Sequence, residues 1–379
     1  MERDSIRIGR IAGVPVGMSW TLLVVAGLFA VALAEGRYPS SLPGYSAAAY
    51  WGAAVATVVV FFASILAHEL AHAVVARRDG LPVEGITLWM LGGVARLGGE
   101  APSPPSELRI AAAGPLASLL AGGAFWVVAL AAGWLDLSPL VIEVFLWLAL
   151  INVVLAAFNV LPASPLDGGR ILAAILWWRT GDRTKAAVWA GTAGKVLGGA
   201  LIGFGLFELA VRDAPFGLWS ALVGWFIWQS ASLESRGAVA RHALHALTAA
   251  AVAPPDPPVV DDWLTVDGLL SLFPGDGTHT AFPVRGDDGS IRSIVTLDDI
   301  RRVTPNDRGW VTVGAIAVPI ADITTAWADE PILSVIARAK PDARSEIAVY
   351  DRALHLVGVI SRIDVERAAR GAAPRPAAV

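Results

Sequence analysis

The sequence predicts a polytopic α-helical membrane protein with about six transmembrane helices, followed by a smaller soluble α/β domain. Only 16% of its 379 residues are charged and 55% are hydrophobic, whereas soluble domains carry about 25% charged residues. The charge is also uneven, because 33 of the 62 charged residues lie in residues 236–379. Apolar runs of about 20 residues, long enough to cross a bilayer, recur in the first 235 residues. The net charge of −4 argues against nucleic acid as the main partner, so none is expected.

Six apolar segments are the predicted spans, at residues 11–34, 47–76, 108–134, 140–161, 186–211 and 216–233. The first could instead be a signal peptide, because Arg7 and Arg10 precede it and Ala32-Leu33-Ala34 resembles a cleavage site. Its apolar stretch is longer than a signal core, so we expect a retained helix.

Positive charges predict the orientation of these helices, since Lys and Arg collect in cytoplasmic connections. Thirteen of them lie at the N-terminus, after spans two and four, and just after span six. The opposite connections offer only Arg37 and Arg212. We therefore expect a multi-pass cell-membrane protein with both termini and the soluble domain in the cytoplasm.

Three ionisable residues stand together near the end of the second span. His68 and His72 are about one helical turn apart, so they project from one face and can share a metal ion. Glu69 lies beside them and can accept a proton from a metal-bound water. The alternative is a chance match by two surface histidines, but ionisable residues inside an apolar span are costly unless partnered or functional. The cysteine count is 0, so any metal needs His and carboxylate ligands.

A third ligand is expected because catalytic zinc usually takes three protein ligands and keeps a position for water. Asp167 follows span four at the depth where span two ends, since both spans run toward the cytoplasm. It could instead be a turn residue, because two glycines follow it. Depth and the shortage of competitors favour ligation. The competing carboxylates lie at or near the opposite face or begin a helix: Asp136, Glu143, Glu208 and Glu107.

Four ordered motifs within residues 50–185 resemble the site-2 proteases, zinc metalloproteases that cut substrates within the membrane. They are His68-Glu69-Leu70-Ala71-His72, the Gly-rich residues 91–99, Ala113-Gly114-Pro115-Leu116, and Asn159…Pro162…Leu166-Asp167-Gly168. The resemblance implies one Zn²⁺ per chain, with Asp167 as third ligand and Asn159 holding the substrate backbone. The segment at 88–97 resembles the family's membrane-embedded β-loop.

The β-loop also suggests how substrate is held. A peptide bond in a helix is shielded by its hydrogen bonds and must be unwound before it is cut. An edge strand containing Gly92, Gly93, Val94 and Ala95 would hold the unwound segment by strand addition. A simple re-entrant turn is the alternative, which the glycine pair also fits.

The soluble part follows a proline-rich linker, expected within residues 236–258. Residues 293–300 and 358–365 form a weak internal repeat of an apolar strand, a hydroxyl residue and an Asp at a helix start. This resembles a tandem pair of CBS domains over residues 259–370, with a disordered tail at 371–379.

The CBS resemblance implies an adenine-nucleotide site and suggests a homodimer. The candidate contacts to phosphate and ribose are Thr296, Asp299, Ser361 and Asp364. The alternative is that these four residues only cap helices. The first copy departs from the usual pattern around residues 263–273.

Three functions of different classes follow. The favoured one is a zinc-dependent intramembrane endopeptidase modulated through the CBS pair; the others are a CBS-gated transporter or channel and a catalytically silent membrane scaffold. A transporter should show repeats among its spans, and no two halves of the apolar region match. By resemblance, the substrate is a single-pass membrane protein in the lipid bilayer, such as an anti-sigma factor or a signal-peptide remnant.

Overall fold

The computed structural model describes residues 5–90, 92–212, 216–273, 281–339 and 346–371. The chain divides into two compact units, with the boundary between Arg236 and Gly237. The first unit contains the long apolar helices, and the second contains short strands and helices.

The first unit begins with two strands, which corrects the predicted start of span one. β1 (Ser5–Ile11) and β2 (Val14–Ser19) form an antiparallel hairpin. Ser19 caps α1 (Trp20–Val31), its side chain accepting from the Thr21 N–H, so the helix starts nine residues later than expected. The backbone continues as a π-helix (Ala32–Arg37) and α2 (Tyr38–Ser41). The alternation of small and apolar residues in 11–19 suits a strand whose one face is buried.

A four-stranded sheet, in the order β1-β2-β3-β4, lies beside the helices of this unit. β3 (Val83–Trp89) pairs in parallel with β2 and antiparallel with β4 (Gly92–Leu97). The segment expected as a β-loop is therefore a hairpin within a larger sheet. Leu91, at its tip, lies outside the described residues. One face of the sheet packs on a core that includes Val14, Ile65 and Ile86.

Five helical segments among the described residues are long and apolar enough to span a membrane. The first is Trp20–Ser41, and the others are α3 (Ala47–Arg78), α4 (Pro104–Trp134), α5 (Pro139–Asn159) and α7 (Arg183–Arg212). Serines define where two of them begin, since Ser46 caps α3 and Ser103 caps α4 ahead of two prolines. The expected multi-pass architecture is confirmed.

The sixth predicted span differs from these five. Residues 216–233 begin α8 (Phe216–His245), which is not among the sufficiently apolar helices of the described chain. Its tryptophans, serines and a glutamine reduce its apolar character. Trp is typical of membrane interfaces, so the tryptophans account for part of the lower hydropathy of this helix.

The second unit contains two α/β copies, each with its own sheet. The first sheet has the order β5-β6-β7-β8, and the second has the order β11-β10-β9. These strands, β5 to β11 in chain order, are Val260–Asp261, Ala281–Arg285, Ile291–Thr296, Val318–Pro319, Thr324–Trp327, Ile347–Tyr350 and Leu356–Ile360. The helices are α9 (Ala249–Val252), α10 (Val266–Leu272), α11 (Leu297–Arg302), α12 (Val313–Ile316), α13 (Ile332–Arg338) and α14 (Arg362–Ala369).

The segment expected as a linker contributes to this second unit. Residues 236–245 continue α8, and Leu244, Ala249 and Val252 are buried in the core beneath the second sheet. These apolar residues find partners that the sequence pattern did not reveal. Residues 372–379, which make up nearly all of the expected tail, lie outside the described residues.

Candidate metal centre

Three side chains from two helices converge on one point in the first unit. His68 and His72 lie on one face of α3, and Asp167 is the first residue of α6 (Asp167–Thr180). The Nε2 atoms of the two histidines are 3.2 Å apart. The carboxylate oxygens of Asp167 lie 3.2 Å from His68 Nε2 and 3.3 Å from His72 Nε2. Both histidines are buried, and Asp167 is largely enclosed.

Hydrogen bonds behind the histidines direct their lone pairs inward. The Nδ1 of His72 lies 2.6 Å from the Ile110 carbonyl oxygen of α4. Because a carbonyl only accepts, this nitrogen carries the proton, and Nε2 presents a lone pair. The Nδ1 of His68 lies 2.9 Å from the hydroxyl of buried Ser118. Such contacts fix ring orientation at metal sites.

The spacing of these atoms fits a zinc ion. With metal–ligand distances of about 2.0–2.2 Å, the ligand atoms of a tetrahedral site lie about 3.3 Å apart. The two Nε2 atoms are 3.2 Å apart, and each lies 3.2 or 3.3 Å from a different oxygen of Asp167, close to that value. The Oδ2 of Asp167 is buried and has no hydrogen-bond partner. Three electron-rich groups held this close repel each other, and a cation relieves the repulsion.

Gly114 of α4 leaves room for this ion. A Cβ at that position would lie 2.2 Å from His72 Nε2 and 2.5 Å from His68 Nε2, which is inside the space that the ligand atoms surround. Any side chain there would displace the ligand atoms or occupy the space between them. The glycine is therefore a requirement of the centre.

Two more glycines position Asp167. A Cβ on Gly168 would lie 2.2 Å from the Val160 carbonyl oxygen, and one on Gly169 would lie 2.3 Å from the Ser164 nitrogen. Because these two residues have no Cβ atoms, α6 can fold back tightly against the turn that follows α5. The turn is also anchored to α7, because the Ser164 N–H donates to the Ala190 carbonyl. The glycines do form a tight turn, and Asp167 points from it toward the histidines.

Ion pairs tie the helices around the centre together. Arg170, one turn after Asp167, donates to Glu107 of α4 at 2.8 Å, and Glu107 also lies 3.7 Å from Arg183 of α7. At the end of α3, Asp79 accepts from Ser106 at 2.5 Å and from Arg109 at 2.8 Å. The Ser106 hydroxyl and the Arg109 guanidinium hold the pKa of Asp79 below its ordinary value. Glu107 thus has the helix-start position that the sequence suggests, and also joins three helices.

Glu69 lies between the histidines and the edge strand β4. A Cβ on Gly93 would lie 2.3 Å from Glu69 Cγ, so the strand backbone rests directly on this side chain. The Ala95 N–H faces the Glu69 carboxylate. The structure therefore brings Gly93, Ala95 and Glu69 together, while the Val94 side chain is exposed.

Asn159 ends α5, and its side-chain amide donates to the Leu155 carbonyl at 3.0 Å. Within the described chain, no hydrogen bond joins Asn159 to the three converging residues, so its substrate role stays a prediction.

Ser118, the Ile110 carbonyl and the spatial role of Gly114 were not identified from the sequence. Gly114 and Ser118 are four residues apart on α4, a spacing that places both on the face toward α3. A serine inside an apolar span was the available signal.

The four candidate nucleotide contacts form two capping boxes in the second unit. Thr296 caps α11 and exchanges hydrogen bonds with Asp299, and Ser361 caps α14 and does the same with Asp364. All four are buried. Their polar atoms already serve the helix starts, as the capping interpretation expects.

Comparisons with known proteins identify the family. The model of "Peptidase family M50" matches residues 56–136 and 135–197. A protein of Mycobacterium tuberculosis named "Putative zinc metalloprotease Rip3" is 39% identical over 365 residues, which cover 96% of this chain and 93% of that protein. The chain belongs to peptidase family M50. It is a zinc metallopeptidase of the site-2 protease type, as the motifs predicted.

Two solved structures resemble parts of this M50 peptidase. A site-2 protease from Methanocaldococcus jannaschii is 30% identical, with a TM-score of 0.42, and the match covers 61% of this chain and 95% of that one. The CBS domains of a transcriptional regulator from Streptococcus pneumoniae are 20% identical, with a TM-score of 0.26. The match covers 32% of this chain and 98% of that one.

Replacing Gly114 by alanine should remove zinc from the purified protein, because the added methyl group enters the space between the histidine nitrogens. The zinc content per chain, measured by plasma mass spectrometry, should fall to a small fraction of that of the unaltered protein. Gly123→Ala on the same helix is the control, since a Cβ there meets no atom within 4 Å. Full zinc occupancy in Gly114→Ala would contradict this role.

Replacing Ser361 by alanine should destabilise the second unit by about 1 kcal/mol, the usual cost of losing an N-cap. Hydrogen exchange of the full chain should then be faster in α14, while Ser271→Ala should have little effect, because Ser271 is exposed on α10. Unchanged exchange in Ser361→Ala would show that the hydroxyl has another use.

Proposed function

We propose that this chain is an intramembrane endopeptidase that cleaves transmembrane segments of single-pass membrane proteins. Zinc is held by His68, His72 and Asp167, and Glu69 is the general base. The observation that carries the proposal is the convergence of two histidines of α3, a helix apolar enough to span a bilayer, with Asp167 at the start of α6. Ionisable groups in such helices are rarely retained without a function.

The chemistry assigned to Glu69 follows from its position. Zinc, when bound, supplies Lewis-acid activation of the attacking water and of the scissile carbonyl. Glu69 is adjacent to His68 in α3 but is not one of the converging residues, so its carboxylate is free to move a proton. It accepts the proton of the attacking water and donates it to the leaving amine.

The edge strand β4 gives the substrate a surface to pair with. β3 is its one partner in the sheet of the described chain, which leaves a second edge for strand addition. A substrate segment paired there is held extended, which exposes its peptide bonds beside Glu69. The hairpin of β3 and β4 supports this interpretation over a simple re-entrant turn.

Strand addition would also change the contacts of Glu69. The Ala95 N–H, which faces the Glu69 carboxylate, is a backbone donor that an added strand can use. A substrate carbonyl that accepts from Ala95 releases the carboxylate at the moment when it is needed as a base. In this proposal, the Ala95 N–H stays turned toward the Glu69 carboxylate while no substrate is bound.

We further infer that both termini and the second unit are cytoplasmic, from the thirteen positive charges on that side against two. An even number of crossings then requires α8 to cross as well, despite its weaker apolar character. Substrates such as anti-sigma factors or signal-peptide remnants, modulation by an adenine nucleotide, and a homodimer all remain predictions. Nucleotide binding at Thr296, Asp299, Ser361 and Asp364 would have to use groups that already cap helices.

Glu69→Gln should keep one zinc per chain but lower cleavage of a transmembrane peptide by about a hundredfold or more, the usual contribution of a general base. The amide preserves the shape of the side chain and cannot accept the proton. Cleavage is followed in detergent by mass spectrometry of the products. Glu208→Gln serves as the control, since Glu208 pairs with Arg212 in α7. Undiminished cleavage by Glu69→Gln would rule out the assigned base.

Ala95→Pro should abolish capture of the same peptide while leaving zinc in place, because proline lacks the N–H that an added strand would use. Cross-linking of a photoreactive peptide to β4 measures this capture. Val94→Thr keeps the backbone donors and nearly the same side-chain volume, so it should capture peptide normally. Equal cross-linking in Ala95→Pro would exclude strand addition at this edge.

A further inference from the structure

A cavity of about 380 Å³ lies on one face of the sheet in the first unit, away from the metal centre's ligands. All four strands line it, including three arginines: Arg7 and Arg10 of β1 and Arg96 of β4. The family chemistry described above does not use these residues.

The strand register explains why the three arginines meet. Arg7 pairs with Gly17, Arg10 pairs with Pro15, and Arg96 pairs with Gly85. Residues three apart in a regular strand point to opposite faces, but a β-bulge between Arg7 and Gly9 shifts the register. Gly17 and Pro15 are two residues apart and share a face, so the bulge brings both β1 arginines to that face.

Small residues form the floor between the arginines. Gly85 lies against Pro15, since a Cβ on Gly85 would be 3.2 Å from the Pro15 carbonyl oxygen. Gly17 of β2 pairs with Thr87 of β3. With no large side chain in the middle, a group of a few atoms can reach the backbone while the guanidinium groups surround it.

The charges in the cavity are not balanced by the protein. Within the described residues, Arg7, Arg10 and Arg96 have no ion pair, and Arg96 donates to the Thr87 hydroxyl at 3.1 Å. Glu84 is the single acid among the lining residues, and no ion pair joins it to these arginines in the described chain. Elsewhere in the unit, Arg109 and Arg170 pair with carboxylates. Three unpaired guanidinium groups around one space favour an anion with several acceptor oxygens.

The surroundings of the cavity indicate a lipid. On β1, Ile6 and Ile11 pair with Met18 and Val14, on the sheet face opposite the arginines. Both isoleucines are exposed, by 52% and 39%. The strand therefore has an apolar side and a cationic side. A candidate membrane-spanning segment begins at exposed Trp20, directly after β2, so we expect this end of the sheet near the headgroup phosphates of the membrane surface.

We propose that this arginine cavity binds the phosphate of an anionic phospholipid headgroup. Arg7 and Arg10 contact it from β1 and Arg96 from β4, while Ile6 and Ile11 contact the acyl region. The bound lipid would connect the outer strand of the sheet to β4. If the proposed substrate role of β4 holds, the lipid also steadies the strand that receives substrate.

The test measures lipids retained by the purified full-length chain, using native mass spectrometry after incubation with phosphatidylglycerol, phosphatidylcholine or inorganic phosphate. We expect one phosphatidylglycerol per chain and little phosphatidylcholine. In Arg7→Gln/Arg10→Gln, retention should fall about tenfold, as the loss of charge-assisted hydrogen bonds predicts. Arg78→Gln/Arg179→Gln, which removes two exposed arginines outside the cavity, should retain lipid normally.

Equal retention of phosphatidylglycerol by the cavity variant and the unaltered chain would overturn the proposal, as would equal retention of phosphatidylcholine. Displacement of the lipid by inorganic phosphate at matched concentration would indicate a soluble phosphate as the ligand, and displacement by an acidic peptide would indicate a protein partner. Either result would contradict a lipid site. The measurement does not depend on proteolysis, so its failure and that of the proposed peptidase activity are separate.

Discussion

The first unit depends on one electrostatic constraint, which is that three electron-rich groups face each other within 3.3 Å, two in the apolar helix α3 and one at the start of α6. A cation relieves their repulsion, and the packing around them keeps them in place. Gly114 leaves the central space open, and the Ile110 carbonyl fixes the ring of His72. The ion pair of Glu107 with Arg170 then holds α6, and therefore Asp167, against α4.

The sequence predicted much of the helical architecture, because long apolar runs have few alternatives in a bilayer. The sheet was only half predicted. Residues 11–19 were assigned to a helix because they are apolar and adjoin a true span, yet they form β2 and part of β1. β2 pairs locally with β1 and also with β3, some 70 residues away, and no local pattern reports the second partner. The sixth predicted span, at residues 216–233, is not among the described helices apolar enough to cross a membrane, because its apolar character is weak.

For the site, the residue types and their spacing named His68, Glu69 and His72, while membrane depth and the family resemblance named Asp167. The supporting contacts were not visible, since they join α3 to α4 through a backbone carbonyl, a serine and an absent side chain. The sequence does not distinguish a glycine that leaves space for a neighbouring group from a glycine that allows a turn. The arginine cavity was hidden for a similar reason, because a β-bulge decides that Arg7 and Arg10 share a face.

X-ray absorption at the zinc edge of the purified, unaltered protein tests the central claim most directly. A centre made by His68, His72 and Asp167 predicts one zinc per chain with nitrogen and oxygen neighbours at about 2.0–2.2 Å, including the multiple-scattering signature of two imidazoles. Sulfur is excluded as a protein thiolate, since the cysteine count is 0. A spectrum of water oxygens without imidazole, or no stoichiometric zinc, would contradict the account.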